Sequence, residues 1–235
     1  MQAVKIGLMG LGTVGGGTAT VLIRNCEEIA RRVGRKLEVV HAAARDIADQ
    51  TILDGSKVKL SEDASSVVND PNVDIVVELI GGYSPAKELV LQAIENGKHV
   101  VTANKALIAM HGAEIFKAAE AKGVIVAYEA AVAGGIPIIK AIREGLSANH
   151  IEWVAGIING TGNFILTEMR DKGRDFDDVL KEAQALGYAE ADPTFDVEGI
   201  DAAHKLTILA SLSFGIPLQL IKPSQKALVK SPGKM

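Results

Sequence analysis

The residues best suited to chemistry in this sequence are a carboxylate and an ammonium group four positions apart, Asp201 and Lys205. In a helix this spacing places both side chains on one face, with the carboxylate toward the N-terminus, which is the favourable order. An exposed pair of this kind contributes only about 0.2–0.5 kcal/mol and is the default interpretation. The pair also suits general acid catalysis, in which the carboxylate holds the lysine while its ammonium donates a proton to a carbonyl oxygen as hydride arrives.

The acidic segment at residues 186–206, LGYAEADPTFDVEGIDAAHKL, surrounds this pair and suggests a substrate site. A calcium or magnesium site is the alternative, and its ligands would be Glu190, Asp192, Asp196 and Glu198. The spacing of these carboxylates is not that of an EF-hand loop, and Lys205 would bring a cation into the site. The divalent-metal interpretation is therefore less favoured.

A second lysine stands where a strand is predicted to end and a helix to begin, in Thr102-Ala103-Asn104-Lys105. A lysine in the first helical turn faces the positive end of the helix dipole, which is unfavourable by about 0.3–1 kcal/mol at exposed sites. A phosphate-bearing cofactor at the carboxyl ends of the strands would compensate for this charge. A surface lysine that extends into water explains the residue equally well.

The elements that must position these residues begin with a glycine-rich turn. An apolar run at residues 3–9 leads into Gly10-Leu11-Gly12-Thr13-Val14-Gly15 and then into a long apolar-periodic segment. This order is typical of a nucleotide-binding βα unit: Gly10 permits the tight turn, Gly12 lets the backbone approach a pyrophosphate, and Gly15 lets helix and strand pack closely. A glycine-rich turn that binds nothing is the alternative.

The end of the second predicted strand bears on the choice of cofactor. An acidic residue there binds the ribose 2′-hydroxyl of NAD, whereas an arginine accommodates the 2′-phosphate of NADP. Arg45 and Asp46 are adjacent in this sequence, so the pattern is ambiguous. It leans to NADP because Arg45 comes first, unless Arg45 is only a solvated loop cation.

Apolar strands alternate with amphipathic helices over the first 130 residues, which is the pattern of a parallel sheet covered on both faces. The predicted strands are residues 4–9, 37–43, 74–79, 99–102 and 124–128. The predicted helices are residues 15–32, 64–68, 85–96 and 105–122. We therefore predict an α/β fold with a Rossmann-like, doubly wound parallel sheet in an NAD(P)-binding domain at residues 1–130.

The order of elements changes after Pro137. Residues 151–158 alternate and predict a strand of a different sheet, among helices predicted at residues 137–145, 162–169, 177–186 and 200–214. These elements indicate a second, α+β region, which contains the polar residues most suggestive of a substrate site. Residues 219–235 are basic and contain proline and serine, and we expect an atypical, disordered tail because so short a polar segment buries too little surface to offset chain entropy.

The composition narrows the function classes. The 235 residues allow a sizeable core, and 48% hydrophobic with 23% charged residues is ordinary for a globular protein. A net charge of -4 argues against a nucleic-acid partner. Cys26 is the only cysteine, which excludes an intrachain disulfide and suits a reducing compartment. Because no apolar stretch reaches the roughly 20 residues that span a bilayer, we expect a cytoplasmic protein without a membrane partner.

Four segments resemble homoserine dehydrogenase: GLGTVG at residues 10–15, TANK at 102–105, NGTGN at 159–163 and the acidic segment at 186–206. The resemblance covers residues 2–218, and it implies that residues 131–218 form an incomplete α+β substrate and dimerisation domain. It implies that aspartate 4-semialdehyde and homoserine are interconverted with NAD(P)H, on the route to threonine, methionine and isoleucine. It also implies a homodimer.

The resemblance implies a role for each matching position. Lys205 matches the proton donor, Asp201 its accompanying carboxylate, and Lys105 the lysine between nicotinamide and substrate. Glu190 and Asp196 match positions that bind the substrate. The substrate carries an ammonium group, for which carboxylates are suitable ligands. Positions matched to cofactor contacts, besides the three glycines of the turn, are Thr13, Val14 and Arg45.

The stretch EAAVAGGI at residues 129–136 resembles a sodium-binding loop. The resemblance implies that sodium is held by Glu129 and by the main chain of Val132, Gly134 and Ile136. Without the resemblance, the stretch would be interpreted as a glycine hinge between domains.

Members of the family ordinarily continue through the rest of the substrate domain, and many add a regulatory ACT domain. The sequence is therefore expected to be C-terminally truncated, with apolar surface exposed and dimerisation in doubt. Besides the dehydrogenase, a non-catalytic NADP-binding remnant is an open alternative. A phosphorylating semialdehyde dehydrogenase is disfavoured because it needs a cysteine nucleophile, and Cys26 lies in the predicted first helix.

Overall fold

A computed structural model describes residues 2–47, 53 and 57–218 of the chain. Two compact units follow one another along it, the first ending at Gly135 and the second beginning at Ile136. Among the described residues, no helix combines the length and the apolar character needed to cross a bilayer.

The first unit contains a six-stranded parallel sheet. Its strands are β1 (Val4–Met9), β2 (Leu37–Ala43), β3 (Lys59–Ser61), β4 (Ile75–Glu78), β5 (His99–Thr102) and β6 (Val126–Ala127). Their order in the sheet is β3-β2-β1-β4-β5-β6, with every neighbouring pair parallel. This is the Rossmann order, which reverses beside β1 and leaves a crevice at the carboxyl ends of the strands. The predicted fold class is confirmed.

Helices connect these strands: α1 (Thr13–Arg24), α2 (Cys26–Val33), α3 (Ser65–Val68), α4 (Ala86–Glu95) and α5 (Lys105–Lys122). The single helix predicted for residues 15–32 is wrong, because the helix is interrupted at Asn25. The Asn25 amide donates to the carbonyl of Val21, and its own carbonyl accepts from Ile29, so one residue ends α1 and begins α2. The short strand β3 was not predicted because three residues at the sheet edge carry too little alternation.

A buried polar cluster lies beneath β2. The fully buried His41 contacts Asp70 Oδ2 through Nδ1 at 2.8 Å and Ser66 Oγ through Nε2 at 3.2 Å. The backbone amide of Asn72 and His41 both lower the pKa of Asp70, the amide more strongly. Lys98 donates to the carbonyls of Asp70 and Val73 at 2.6 and 2.8 Å, and burial lowers the pKa of its ammonium.

The described part of the second unit is helical. Its elements are α6 (Ile138–Lys140), a π-helix at Ala141–Gly145, α7 (Gly160–Lys172), α8 (Phe176–Ala185), α9 (Thr194–Val197) and α10 (Ile200–Phe214). Its core contains Ile165 of α7, Val179 and Ala183 of α8, and Val197 of α9. Helix α10 has the predicted bounds, and α7 begins two residues before the predicted start.

The strand predicted at residues 151–158 is wrong. The segment carries no ladder with any described residue, and the described second unit therefore contains no strand. Trp153 and Ile157, which share one side by the two-residue period, are 74% and 80% exposed. Alternation marks a potential strand face, but a strand forms only where a neighbour pairs with its backbone groups.

Candidate functional site

Two glycines of the turn after β1 are required by the fold itself. Gly10 has φ +96°, and a Cβ added there would lie 2.7 Å from the carbonyl oxygen of Leu79. A Cβ added at Gly15 would lie 1.9 Å from the carbonyl oxygen of Gly10, so the helix could not approach the strand as it does. These two positions have the turn and packing roles that the sequence predicted.

Gly12 is different, because a Cβ there would meet no atom within 4 Å. It is the N-cap of α1, where no side chain caps the helix and no acidic residue occupies the first turn. Thr13 and Val14 follow it, and both are exposed. Backbone amides at such a helix start, together with the helix dipole, favour an anion such as phosphate.

A cavity of about 920 Å³ lies at the carboxyl ends of the strands, beside this helix start. Arg45 and Asp46 line it at the end of β2, and Glu62 and Asp63 line it after β3. The Ser65 hydroxyl and amide donate to the Asp63 carboxylate at 2.6 and 2.8 Å and lower its pKa. The rim thus combines one guanidinium with three carboxylates, so the preference for NADP stays a prediction.

Lys105 is the first residue of α5, as the sequence predicted. The preceding residue, Asn104, caps the helix by accepting a hydrogen bond from the Leu107 amide at 3.0 Å. No acidic residue occupies this first turn. The lysine therefore stands at the positive end of the dipole.

In the second unit, the ammonium of Lys205 donates to Asp201 Oδ2 and to the carbonyl of Ile158, both at 2.6 Å. The two side chains are only 18% and 6% exposed, so the interpretation as a plain surface pair is wrong. They line a cavity of about 650 Å³ together with Asn159, Thr161 and Asp196. The pair is held in a pocket, as catalysis would require.

A single side-chain amide links the carboxylates of this pocket. Asn159 Nδ2 donates to Asp196 Oδ1 at 2.7 Å and to Asp201 Oδ2 at 2.9 Å. The Asn159 Oδ1 accepts from the Gly162 amide at 2.6 Å and caps α7. The amide therefore fixes one carboxylate of α9 and one of α10 relative to the start of α7. Asn159 belongs to the NGTGN motif at residues 159–163, and its position before a glycine-containing helix start is the only sequence signal for this role.

The structure does not place Glu190 with Asp196, the other predicted substrate residue, because Glu190 is exposed and does not line this cavity. Among the described residues, no group of three or more His, Cys, Asp or Glu side chains is arranged to hold a metal ion, so the structure gives no support to the alternative of a divalent site. The four carboxylates of that alternative are Glu190, Asp192, Asp196 and Glu198, and of these only Asp196 lines the pocket.

The expected sodium loop begins in a short 3-10 helix, Glu129–Ala131. Val132, Gly134 and Ile136 follow, and Ile136 begins the second unit. One carboxylate and three main-chain carbonyls are oxygen ligands of the kind that hard cations accept. The fit rests on this donor chemistry alone, and sodium binding stays a prediction.

Comparisons with known proteins show the family to which the chain belongs. A family model described as the NAD-binding domain of homoserine dehydrogenase matches residues 10–129, and a homoserine dehydrogenase model matches residues 137–231. The homoserine dehydrogenase of Pseudomonas aeruginosa is 69% identical over 98% of this chain and 52% of the relative. The chain belongs to the homoserine dehydrogenase family. The resemblance inferred from the motifs is confirmed.

Solved structures of the family agree. The homoserine dehydrogenase of Thiobacillus denitrificans has a TM-score of 0.94 and 64% identity, covering 99% of this chain and 54% of that one. A hyperthermophilic archaeal homoserine dehydrogenase in complex with NADPH has a TM-score of 0.79 and 29% identity, covering 92% and 71%. The chain spans about half the length of the curated relatives it matches. The second family match includes most of residues 219–235, which lie outside the described residues.

Proposed function

We propose that the chain carries homoserine dehydrogenase chemistry, reducing aspartate 4-semialdehyde to homoserine with NADPH and catalysing the reverse oxidation. The observation that carries the proposal is the Lys205 ammonium, held by Asp201 and the Ile158 carbonyl inside a pocket. A nicotinamide cofactor, when bound, supplies the hydride. The protein must then supply a proton and hold the substrate.

Lys205 is the proton donor in this proposal. An ammonium has three N–H donors, and Lys205 directs two of them to Asp201 and Ile158. The third can donate to the aldehyde oxygen, which takes up the proton as the carbonyl carbon takes up hydride. In the reverse direction the lysine accepts that proton from the homoserine hydroxyl. General acid catalysis of this kind contributes about 10²- to 10⁴-fold.

The substrate ammonium is bound by carboxylates in this proposal. Asp196 lines the pocket beside Asp201 and carries the charge needed for a cationic group. We propose Glu190 as a second carboxylate ligand of the substrate. Because Glu190 is exposed and lies outside the pocket lining, it would have to move toward a bound substrate. We assign the domain at residues 131–218 to substrate binding.

The cofactor site belongs to the proposed NAD(P)-binding domain, residues 1–130. Gly10, Gly12, Thr13, Val14 and Gly15 form the turn and helix start that suit a pyrophosphate. Arg45 supports NADP through its guanidinium, which matches the geometry of a 2′-phosphate. Lys105 is proposed to lie between nicotinamide and substrate. A sodium ion held through Glu129, a homodimer and a cytoplasmic location remain predictions of the family resemblance and composition.

The decisive experiment is homoserine-dependent reduction of NADP⁺ and of NAD⁺ by the full chain and by Lys205→Ala. We expect turnover with a preference for NADP⁺, and a loss of about 10²- to 10⁴-fold in Lys205→Ala. Lys181→Ala is the matched control and should keep the wild-type rate, because Lys181 is an exposed lysine of α8 that does not line the pocket. Equal rates from Lys205→Ala and the wild type would remove Lys205 from the mechanism. NADPH binding without any turnover would instead support the non-catalytic remnant.

A further inference from the structure

A buried carboxylate ends the strand at the centre of the sheet. Glu78 is the last residue of β4, pairs in register with Met9 and Thr102 of the neighbouring strands, and is 0% exposed. Removing a carboxylate from water is unfavourable unless hydrogen-bond donors replace its hydration. An apolar residue would satisfy the strand at this position equally well. The presence of a buried carboxylate at residue 78 must therefore be explained by the groups that contact it.

Three donors surround the Glu78 carboxylate. Its Oε1 accepts from the backbone amides of Ile80 and Gly81 at 2.9 and 3.1 Å. Its Oε2 accepts from the Thr102 hydroxyl at 2.6 Å. Both carboxylate oxygens therefore have hydrogen-bond donors in place of water. One oxygen thus holds the loop after β4, and the other reaches the end of β5.

The contacts continue from Thr102 to the start of α5. The Thr102 Oγ1 accepts from the Asn104 amide at 2.9 Å, and Asn104 Nδ2 donates to the Gly82 carbonyl at 2.6 Å. The Asn104 side chain also caps the helix that Lys105 begins. Glu78, Thr102 and Asn104 therefore form a closed ring of contacts around the loop at residues 80–82.

This loop forms part of the cavity wall. Ile80, Gly81 and Gly82 all line the 920 Å³ cavity at the carboxyl ends of the strands. Gly81 and Gly82 both have positive φ, at +79° and +69°, so two successive residues hold a left-handed backbone. A loop of this conformation keeps one shape only where contacts fix it, and the Glu78 ring supplies those contacts.

We propose that Glu78, Thr102 and Asn104 are positioning residues of the cofactor cleft. Their ring fixes the backbone of residues 80–82 and the first turn of α5, so that cleft wall and Lys105 are preorganised before the dinucleotide binds. None of the three acts on reacting atoms. The inference rests on the proposed cofactor binding, and it concerns how the cleft is held in shape.

The test compares Thr102→Val with Thr102→Ser. Valine is nearly isosteric with threonine but removes the hydroxyl, whereas serine keeps it. The measurements are the Kd of NADPH by fluorescence titration and residue-resolved amide hydrogen exchange at Ile80 and Gly81. We expect Thr102→Val to raise the Kd and to speed exchange at both amides by about tenfold, as the loss of a hydrogen bond to a charged group predicts. Thr102→Ser is expected to stay within about twofold of wild type in both.

Ile115→Ala is the control for general destabilisation. Ile115 is 0% exposed in α5 and does not line the cavity, so its truncation lowers stability without touching the ring. At a temperature where every variant is folded, Ile115→Ala should keep the wild-type NADPH Kd. A second variant, Asn104→Ser, keeps a good helix cap but loses the amide contact to Gly82, and we expect its Kd to rise about threefold.

The outcomes separate the two proposals. Wild-type NADPH affinity in a folded Thr102→Val protein would overturn the positioning role, with or without faster exchange. If Thr102→Val does not fold, wild-type affinity in Asn104→Ser would overturn it. Failure of the wild-type chain to bind NADPH or NADH would overturn the proposed function instead. In that case, unchanged exchange at Ile80 and Gly81 in the folded variants would also overturn the inferred ring.

Discussion

The candidate sites of the two units depend on different parts of the residues, the glycine backbone in the first unit and functional side chains in the second. In the first unit Gly10 and Gly12 line the cavity beside α1 without side chains, and Gly15 lets α1 pack closely against the turn. In the second unit the pocket is formed by functional side chains, and Asn159 and Lys205 hold its carboxylates. A site made of backbone is sensitive to added volume, whereas a site made of side chains is sensitive to an exchanged functional group.

The largest effect is expected from adding one methyl group to the backbone site. In Gly15→Ala the new Cβ would lie 1.9 Å from the Gly10 carbonyl oxygen, so helix and strand must separate. We expect a loss of about 3 kcal/mol or more in the free energy of unfolding, measured by urea denaturation.

Gly17→Ala is the matched control for Gly15→Ala. Gly17 lies in the same helix, but a Cβ there meets nothing within 4 Å. It should gain about 0.5–1 kcal/mol because alanine favours the helix. Unfolding of Gly15→Ala at the wild-type urea midpoint would contradict the packing role of Gly15.

The side-chain site should respond to Asn159→Ser, an exchange that removes a functional group. Serine keeps a helix cap for α7 but lacks the amide that donates to Asp196 and Asp201. We expect kcat/KM for homoserine oxidation to fall about ten- to hundredfold, because both carboxylates lose their common anchor. The NADPH Kd and the unfolding free energy should change little.

Asn159→Ala separates the cap from the anchor. It removes both, and it should cost about 1 kcal/mol of stability in addition to the catalytic loss. A wild-type kcat/KM in Asn159→Ser would show that Asn159 serves only as a helix cap.

Gly12→Ala sharpens the comparison within the backbone site. The residue has φ −66° and no atom within 4 Å of an added Cβ, so the fold tolerates alanine. The methyl group would instead occupy space that a pyrophosphate needs. We expect about a tenfold rise in the NADPH Kd by fluorescence titration, with stability changed by less than about 1 kcal/mol. Unchanged affinity would mean that the turn does not approach a cofactor.

The smallest effect concerns ionised groups that act on stability. The pKa of Asp70 lies below its ordinary value of 3.8, chiefly because the Asn72 amide donates to it and also because of His41. The folded state therefore binds this proton more weakly than the unfolded state. The stabilisation is complete above pH 3.8 and is lost as the pH falls through the lower folded-state value.

Asp70→Asn should accordingly lower the free energy of unfolding by about 1 kcal/mol at neutral pH. The difference from wild type should shrink below pH 3.8 in thermal unfolding measured across pH. Asp192→Asn is the comparison from the second unit, because the pKa of that exposed carboxylate is lowered mainly by the Thr194 hydroxyl. Its effect should be smaller, since water replaces the lost contact. A difference for Asp70→Asn that does not vary with pH would exclude the ionised form as its source.

Local patterns predicted much of the first unit. The strand at residues 4–9, the glycine turn after it and the helix at residues 105–122 were predicted with the bounds that the structure has. Each of these features depends on residues close together in the chain, through periodicity, turn conformation or helix ends. The break at Asn25 escaped prediction because apolar periodicity continues across it.

Patterns of the same kind failed where a distant partner decides the outcome. Residues 151–158 alternate like a strand but have no strand neighbour among the described residues. Glu78 was included in a predicted strand, yet nothing in its neighbours indicated that Thr102, 24 residues away, donates to it inside the protein. A carboxylate at the end of an apolar strand is the one sequence signal that could have indicated this role.

The sequence by itself determined the alternation of strands and helices in the first unit, the turn at Gly10 to Gly15, and the shared helical face of Asp201 and Lys205. Tertiary structure decided that this pair is held in a pocket, that Asn159 anchors it across 42 residues of chain, and that Glu78 is enclosed by donors. The physical reason is range. Periodicity and backbone conformation are properties of neighbouring residues, whereas burial and hydrogen bonding between elements exist only once those elements have packed together.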